Sequence, residues 1–429
     1  MTTLHPLKEA FLHYLWRLKR FDLHDLKTTT GEEVQIRDFG EYHQDSGPDF
    51  MNARIAIGTT LWAGNVEMHL LASDWRRHRH QEDPAYRNVI LHVVYEEDEP
   101  VFHPGGERIP CLELKYRIPP QVHQRYQALL RNEAWIPCQH LIQEVPESIR
   151  AMWLTRLAVE RLETKTTTIA STLTLLHNDW EETLYRHLAY SFGVKVNCEA
   201  FFQLACATPL RILLKCLHQP LQTEALLFGQ AGLLEGPFTD AYPAALAQEY
   251  RYLKNKYDLT PIQQSAWKFL RLRPASFPTV RIAQFAALLH HHGQLFEKII
   301  SLVDLKEMTS FFQVKPADYW LTHYTFDHPS APKTKELGIN TIALLVINTI
   351  APVLFLYGEY KGEETFKDQA LNLLEKIKAE KNVITDKWQE LGLSPAQAAH
   401  SQALIQLKTR YCDYKRCLEC AIGNAIINK

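Results

Sequence analysis

The stretch Gly47–His80, GPDFMNARIAIGTTLWAGNVEMHLLASDWRRHRH, decides how the first part of the chain folds and which chemistry it displays. Arg54–Ile57 and Leu61–Leu71 read as strands, and Gly58-Thr59-Thr60 between them supplies turn residues, so a β-hairpin is predicted. With the turn centred near Thr59, antiparallel pairing sets Asp49 roughly across from His69 and within diagonal reach of Glu67. Glu67 and His69 are two residues apart and share a face, while Val66, Met68 and Leu70 take the other. Two carboxylates converging in this way repel unless a divalent cation lies between them, and Mg²⁺ or Mn²⁺ is the natural occupant. Such a cation can activate a water and stabilise a phosphoryl transition state. The plainer alternative is a hairpin whose polar face meets solvent or the rest of the chain.

Working outward, PLKEAFLHYLWRLKR (residues 6–20) places Leu7, Phe11, Tyr14, Leu15 and Leu18 on one helical face. EEVQIRDF (32–39) alternates in polarity as a strand does. SDWRRHRHQEDPAY offers Ser73 or Asp74 as an N-cap and reads as a helix or structured loop. NVILHVVYEE is an apolar, β-branched strand of the kind buried on both faces. A turn at Pro104-Gly105-Gly106 leads to a strand over Ile109–Tyr116 and a helix over Val122–Asn132. From Pro146 onward long segments of helical period replace this pattern, without a fixed repeat length. The predicted fold is α+β: an αβββαβ domain over residues 1–140, then a large all-α domain over 141–429 packed on it.

Composition narrows the function classes. A chain of 429 residues, 46% hydrophobic, can bury a large core. Its net charge of −2 excludes polyanion binding by bulk field, so any nucleic-acid contact must come from a local patch. The N-terminus lacks a signal-peptide pattern, and with that absence the eight cysteines point to free thiols or metal ligands in the cytoplasm. INTIALLVINTIAPVLFLY (339–357) approaches membrane-spanning length, but Asn340, Asn348 and Pro352 interrupt it. A buried core helix, broken at Pro352, is predicted, with no membrane partner.

Two further groups carry chemistry. Arg76, Arg77, His78 and His80, with Arg79 among them, form a phosphate-contacting patch beside the hairpin that would hold DNA or RNA by its backbone. His78 and His80 could instead join Asp83 around Zn²⁺, or the run could be a solvated face. Cys412, Cys417 and Cys420, with Cys138 as a distant fourth, could bind zinc or an iron–sulfur cluster. On one continuous helix, however, the three would spread over an arc of about 140°, and buried thiols also pack as small hydrophobes. His92, inside an apolar strand, reads as a hydrogen-bonded core residue.

The proline–aspartate pair at Pro48-Asp49, followed by the acid-x-basic triplet Glu67-Met68-His69, resembles the core of the PD-(D/E)xK nuclease superfamily, whose element order is αβββαβ. The resemblance implies that Asp49 and Glu67 hold the metal, that His69 stands where lysine is usual, and that Glu9 occupies a further acidic position on the first helix. It implies metal-dependent hydrolysis of phosphodiester bonds in DNA or RNA, with Asp49, Glu67 and His69 catalytic. The rival expectation is a non-catalytic nucleic-acid- or protein-binding scaffold with a degenerate nuclease-like domain. Across nearly its whole length, through GPDF, GNVEMH, SDWRRHRHQEDPAYRNVILHVV and RPASFPTVRIAQFA, the chain also resembles an uncharacterised bacterial family, the domain of unknown function numbered 2851. That resemblance implies no activity.

Overall fold

The computed structural model describes residues 7–43 and 46–429. It divides into two compact units, one formed by Met1–Trp153 with Leu407–Lys429 and the other by Leu154–Gln406. The return of Leu407–Lys429 to the first unit has no counterpart in the sequence-based division at 140.

The first unit is mixed α/β. Its helix α1 (Glu9–Arg17) precedes β1 (Val34–Asp38), β2 (Glu41–Tyr42), β3 (Phe50–Ile57) and β4 (Thr60–Leu71). A short α2 (Asp74–Arg77) leads to β5 (Val89–Glu96), β6 (Cys111–Glu113) and α3 (Pro120–Arg131). The sheet order is β1-β3-β4-β5-β6, with β2 paired to β3. β1, β3 and β4 form an antiparallel meander, whereas β5 runs parallel to β4 and β6 parallel to β5. A parallel neighbour needs a crossover, and residues 72–88 provide it. The apolar side of α1 buries Phe11, Leu15 and Trp16, and Phe11 stacks on Tyr126 of α3 at 4.8 Å.

The hairpin register differs from the predicted one. Pairing runs evenly from Ile57↔Thr60 to Ala53↔Gly64 and then slips to Phe50↔Val66. The extra residue sits on β3, where Asn52 takes a left-handed φ of 61° and its N–H donates to Asn65 Oδ1 at 3.3 Å. A bulge of this kind re-aims the strand beyond it. Asp49 therefore lies beside Glu67 rather than across from His69.

The second unit is mostly helical, including Trp180–Phe192, Pro220–Gln230, Ala241–Tyr257 and Pro278–His292. The all-α expectation needs one correction, because His323–Thr325 pairs antiparallel with His328–Pro329. The apolar run also departs from expectation: Ile339–Lys361 is one 23-residue helix, and Pro352 does not break it. By length and composition it could cross a membrane, but 61% of its most apolar stretch is buried within the protein. A π-turn over Val346–Ile350 precedes the proline. In that register the carbonyl left without an amide by Pro352 is Ile347 O, and Lys165 Nζ donates to it at 3.1 Å.

A buried acid in this unit sets a pH dependence. Glu224 Oε2 accepts from Tyr242 Oη at 2.8 Å and Trp320 Nε1 at 3.1 Å, and burial pushes its carboxyl up to about 7. Between its ordinary value of 4.5 and about 7, the folded state holds a proton that the unfolded chain has lost. Stability therefore falls as pH rises through this window, by up to about 3 kcal/mol. Glu224→Gln keeps the accepting oxygen and removes the charge. Denaturation midpoints measured from pH 4 to 8 are expected to lose this slope, and an unchanged slope would assign it to other groups.

Candidate metal centre

The parallel step between β4 and β5 builds the site. Glu67 on β4 is in register with His92 on β5, and His69 lies two residues further along the same face. All three are buried, with His69 only 1% exposed. His69 Nδ1 is 2.8 Å from His92 Nε2, and His69 Nε2 is 3.2 Å from His78 Nδ1. His80 arrives from the crossover with its Nε2 3.3 Å from Glu67 Oε1, which is also 3.5 Å from His69 Nε2. One nitrogen from each of His69, His78 and His80 falls within 4.8 Å of the others. His78 is exposed, so the group has a mouth to solvent.

The crossover's backbone explains how a run of alternating basic residues splits. Arg79 adopts a left-handed φ of 61° between α2 and the short turn His80–Glu82. This bend turns His78 and His80 toward β4 and leaves Arg76, Arg77 and Arg79 exposed. A non-glycine residue in this conformation costs roughly 1 kcal/mol. Tyr86 stacks on the His80 ring at 3.8 Å and holds it in place.

Asp49 and Glu67 clamp one another through the backbone. The Asp49 N–H donates to Glu67 Oε2 at 3.1 Å, and the Met68 N–H donates to Asp49 Oδ2 at 2.9 Å. On the other side His13 Nε2 of α1 is 3.2 Å from Asp49 Oδ2. Glu9, one helical turn earlier, lies within electrostatic reach of His78, Asp49 and His13.

The electrostatics leave the site short of positive charge. Burial, then the neighbouring Asp49 carboxylate, holds Glu67 well above the usual carboxylate range. Burial, followed by His92, His80 and His78, pushes His69 down to about 2. Burial likewise pushes His92 down to about 3 and lowers His80. These imidazoles are therefore neutral at pH 7 and keep lone pairs for a ligand. Among the described residues, His80 Nε2 and His13 Nε2 are buried with no aligned hydrogen-bond partner. Nitrogens of His69, His78 and His80 within 4.8 Å of one another, with the Glu67 carboxyl beside two of them, are a donor set that fits a divalent cation. With a cation at His69 Nε2, the ring carries its proton on Nδ1 and donates it to His92, the outer support that metal-binding imidazoles use.

A profile described as "Protein of unknown function (DUF2851)" matches residues 9–383. The chain belongs to the DUF2851 family. No curated protein matches it, and no solved structure does. The span shared with DUF2851 includes every member of the cluster from Glu9 to His92, as well as Cys138.

Within this DUF2851 protein the predicted residues separate as follows. Asp49, Glu67 and His69 come together, and His78 and His80 join them rather than facing outward with the arginines. Arg77 Nη1 is 2.9 Å from Asp74 Oδ1, and Arg76 Nε is 3.6 Å from Glu99 Oε1. Asp83 is not in the group whose ligand atoms converge with His78 and His80, and its carboxylate accepts from the Ala85 N–H at 2.9 Å. His92 is a core histidine, as expected, and it also supports His69. His13 was missed, although a signal existed: Glu9 and His13 are four apart and share a helix face. A cavity of about 570 Å³ lined by Trp62, Arg87 and Arg108 opens near the amino ends of β4 and β5, away from these groups.

Proposed function

We propose that this protein is a metal-dependent hydrolase of phosphodiester bonds in DNA or RNA. The observation that carries the reading is the convergence of Asp49 and Glu67 with three imidazoles at a mouth open through His78. Topology supports it. A meander β1-β3-β4 and a crossover to parallel β5, with Asp49 entering β3 and Glu67-x-His69 on β4, have the order implied by the resemblance to the PD-(D/E)xK core. Three imidazoles suit Mn²⁺ or Zn²⁺ better than Mg²⁺, which prefers an all-oxygen shell.

Glu67, His69, His78 and His80 would hold the cation, whose contribution is to polarise a phosphoryl oxygen and acidify water. In this reading His69 is a ligand rather than the lysine substitute that activates water. His13, beside Asp49 and partly exposed, is placed to take a proton. Arg79 and the outward guanidinium of Arg76 supply backbone contacts.

Purified protein loaded with Mn²⁺ is expected to cut plasmid, oligonucleotide or RNA, and Asp49→Asn or Glu67→Gln to lower the rate at least about 100-fold. A folded, metal-loaded protein that binds nucleic acid without cutting it would replace this reading with the scaffold. That alternative is supported by the depth of His69 and by the acids already facing Arg76 and Arg77.

A further inference from the structure

Among the described residues, Arg281 and Lys335 are buried cations of the second unit that pair with no carboxylate. Arg281, on the helix Pro278–His292, is only 8% exposed. Its Nη1 donates to Gln284 Oε1 at 3.1 Å and its Nη2 to Thr341 Oγ1 at 3.4 Å. Its Nε is buried with no hydrogen-bond partner. Lys335 Nζ donates to Leu321 O at 3.1 Å and to Lys333 O at 2.9 Å. Gln284 joins the pair, because its Nε2 donates to Lys335 O at 2.7 Å. Amide, hydroxyl and carbonyl oxygens solvate these charges without neutralising them. Glu336, the acid next in sequence, is exposed and lies within electrostatic reach of Lys315. Burial lowers Arg281 to about 10, so the guanidinium keeps its charge at pH 7. A buried charge without a counter-ion is costly.

Arg281 is aimed at a second source of positive potential. Thr341 lies in the first turn of the helix that starts at Ile339 and runs for 23 residues to Lys361. Gly338 precedes this helix with extended backbone, and no side chain caps it. The Thr341 and Ile342 N–H groups turn back to Gly338 O, whereas those of Ile339 and Asn340 meet no acceptor among the described residues. An uncapped helix start carries partial positive charge. Placing a guanidinium against it adds repulsion that an anion would remove. Gly338, Ile339 and Asn340 are exposed, so this end of the helix is open to solvent.

We propose that Arg281, Thr341 and the free N–H groups of Ile339 and Asn340 bind a phosphate group. Helix N-termini and guanidinium groups are the donors that suit phosphate best. The Thr341 hydroxyl, which accepts from Arg281, keeps its own hydrogen for a phosphate oxygen. Arg281 supplies the charge at the site, and Lys335 adds to the field from behind Gln284. Inorganic phosphate and the end of a phosphate monoester present the same oxygens to these donors. The site lies wholly within the second unit, and it holds whether or not the first unit is a hydrolase.

Calorimetric titration of the full chain, in EDTA and at constant ionic strength, uses inorganic phosphate in one arm and phenyl phosphate in the other. A saturable site for inorganic phosphate is expected. Binding of phenyl phosphate as well extends the site to monoesters, and its failure restricts the site to the free ion. Arg281→Met and Ile339→Pro are each expected to weaken phosphate by about 10-fold or more. Proline is favoured at the first helical position, and Gly338 already has the extended backbone that a following proline requires. Ile339→Pro therefore removes one N–H from a helix that still forms. Should Arg281→Met fail to fold, Ile339→Pro decides alone, and an affinity equal to the parent's overturns the site. Absence of saturable binding in both arms also overturns it. So does binding that is lost in Arg76→Ala/Arg79→Ala and kept in Ile339→Pro, which would put the phosphate on the first unit and leave the hydrolase reading standing.

Discussion

Mn²⁺ added to metal-free protein is expected to raise the unfolding temperature by at least about 5 °C, and to leave Glu67→Ala unshifted. The clamp between Asp49 and Glu67 holds two carboxyl groups together at β3 and β4, burial and the Asp49 carboxylate hold Glu67 well above the usual carboxylate range, and His69 is neutral, so the folded apo protein keeps a proton that a cation can replace. A cation that binds only the folded state stabilises it by about 2.7 kcal/mol at a hundredfold excess over Kd. For a unit of this size each kcal/mol moves the transition by about 2–4 °C. Glu67 is the residue whose removal matters most, because its carboxylate approaches both His69 and His80 and accepts from the Asp49 amide. Without metal, Glu67→Ala is expected to melt no lower than the parent chain, since it relieves a buried acid. Calorimetry of EDTA-treated samples titrated with Mn²⁺ checks both halves, and equal shifts in the two proteins would move the ion to another place.

Gly64→Val is expected to abolish folding of the α/β unit, and Gly64→Ala to destabilise it by about 3 kcal/mol. Gly64 is where β4 closes on the start of β5. A Cβ there would stand 2.4 Å from Ile90 Cγ2 and 2.6 Å from Asn88 O. The same Asn88 carbonyl accepts from the Asn65 N–H at 2.8 Å, so the obstruction falls on the contact that sets the parallel register. Displacing that register separates Glu67 from His92 and disperses the cluster two residues downstream. Gly105→Ala, with open space around it, serves as the neutral control. Circular dichroism melts and Mn²⁺ binding by both variants check the claim, and a Gly64→Ala protein as stable as the control would refute it.

β1, β4 and β5 were legible because alternation and β-branching are local signals, and α1 because its apolar face repeats at helical spacing, whereas the two-residue β2, the first half of β3 and the His323–Thr325/His328–Pro329 pair are too short or irregular to carry such a signal. The bulge was not legible: Asn52 adopts a left-handed backbone for the sake of pairing across the hairpin, and only that pairing moves Asp49 beside Glu67. The Arg76–His80 run reads as one basic patch until the left-handed Arg79 sorts its members, turning His78 and His80 inward. His92 illustrates a different limit. Its burial was readable from the strand, but its partner His69 depends on which strands are neighbours, and that is decided by the crossover. Cys412, Cys417 and Cys420 lie on a π-turn and the turns after it rather than on one continuous helix, yet among the described residues only His69, His78 and His80 bring three ligand atoms within 4.8 Å of one another.

The first unit is assembled from two stretches of chain with Leu154–Gln406 between them. During synthesis Cys138 and the β-sheet leave the ribosome long before Leu407–Lys429 exists. At about 5–20 residues per second, the intervening roughly 250 residues occupy tens of seconds. The α/β unit must wait through that interval, while the helical stretch can complete its own packing as soon as it emerges. A ribosome that stops near residue 406 would therefore release a finished helical unit joined to an unfinished α/β one, so lesions late in the coding sequence would fall on the unit encoded first.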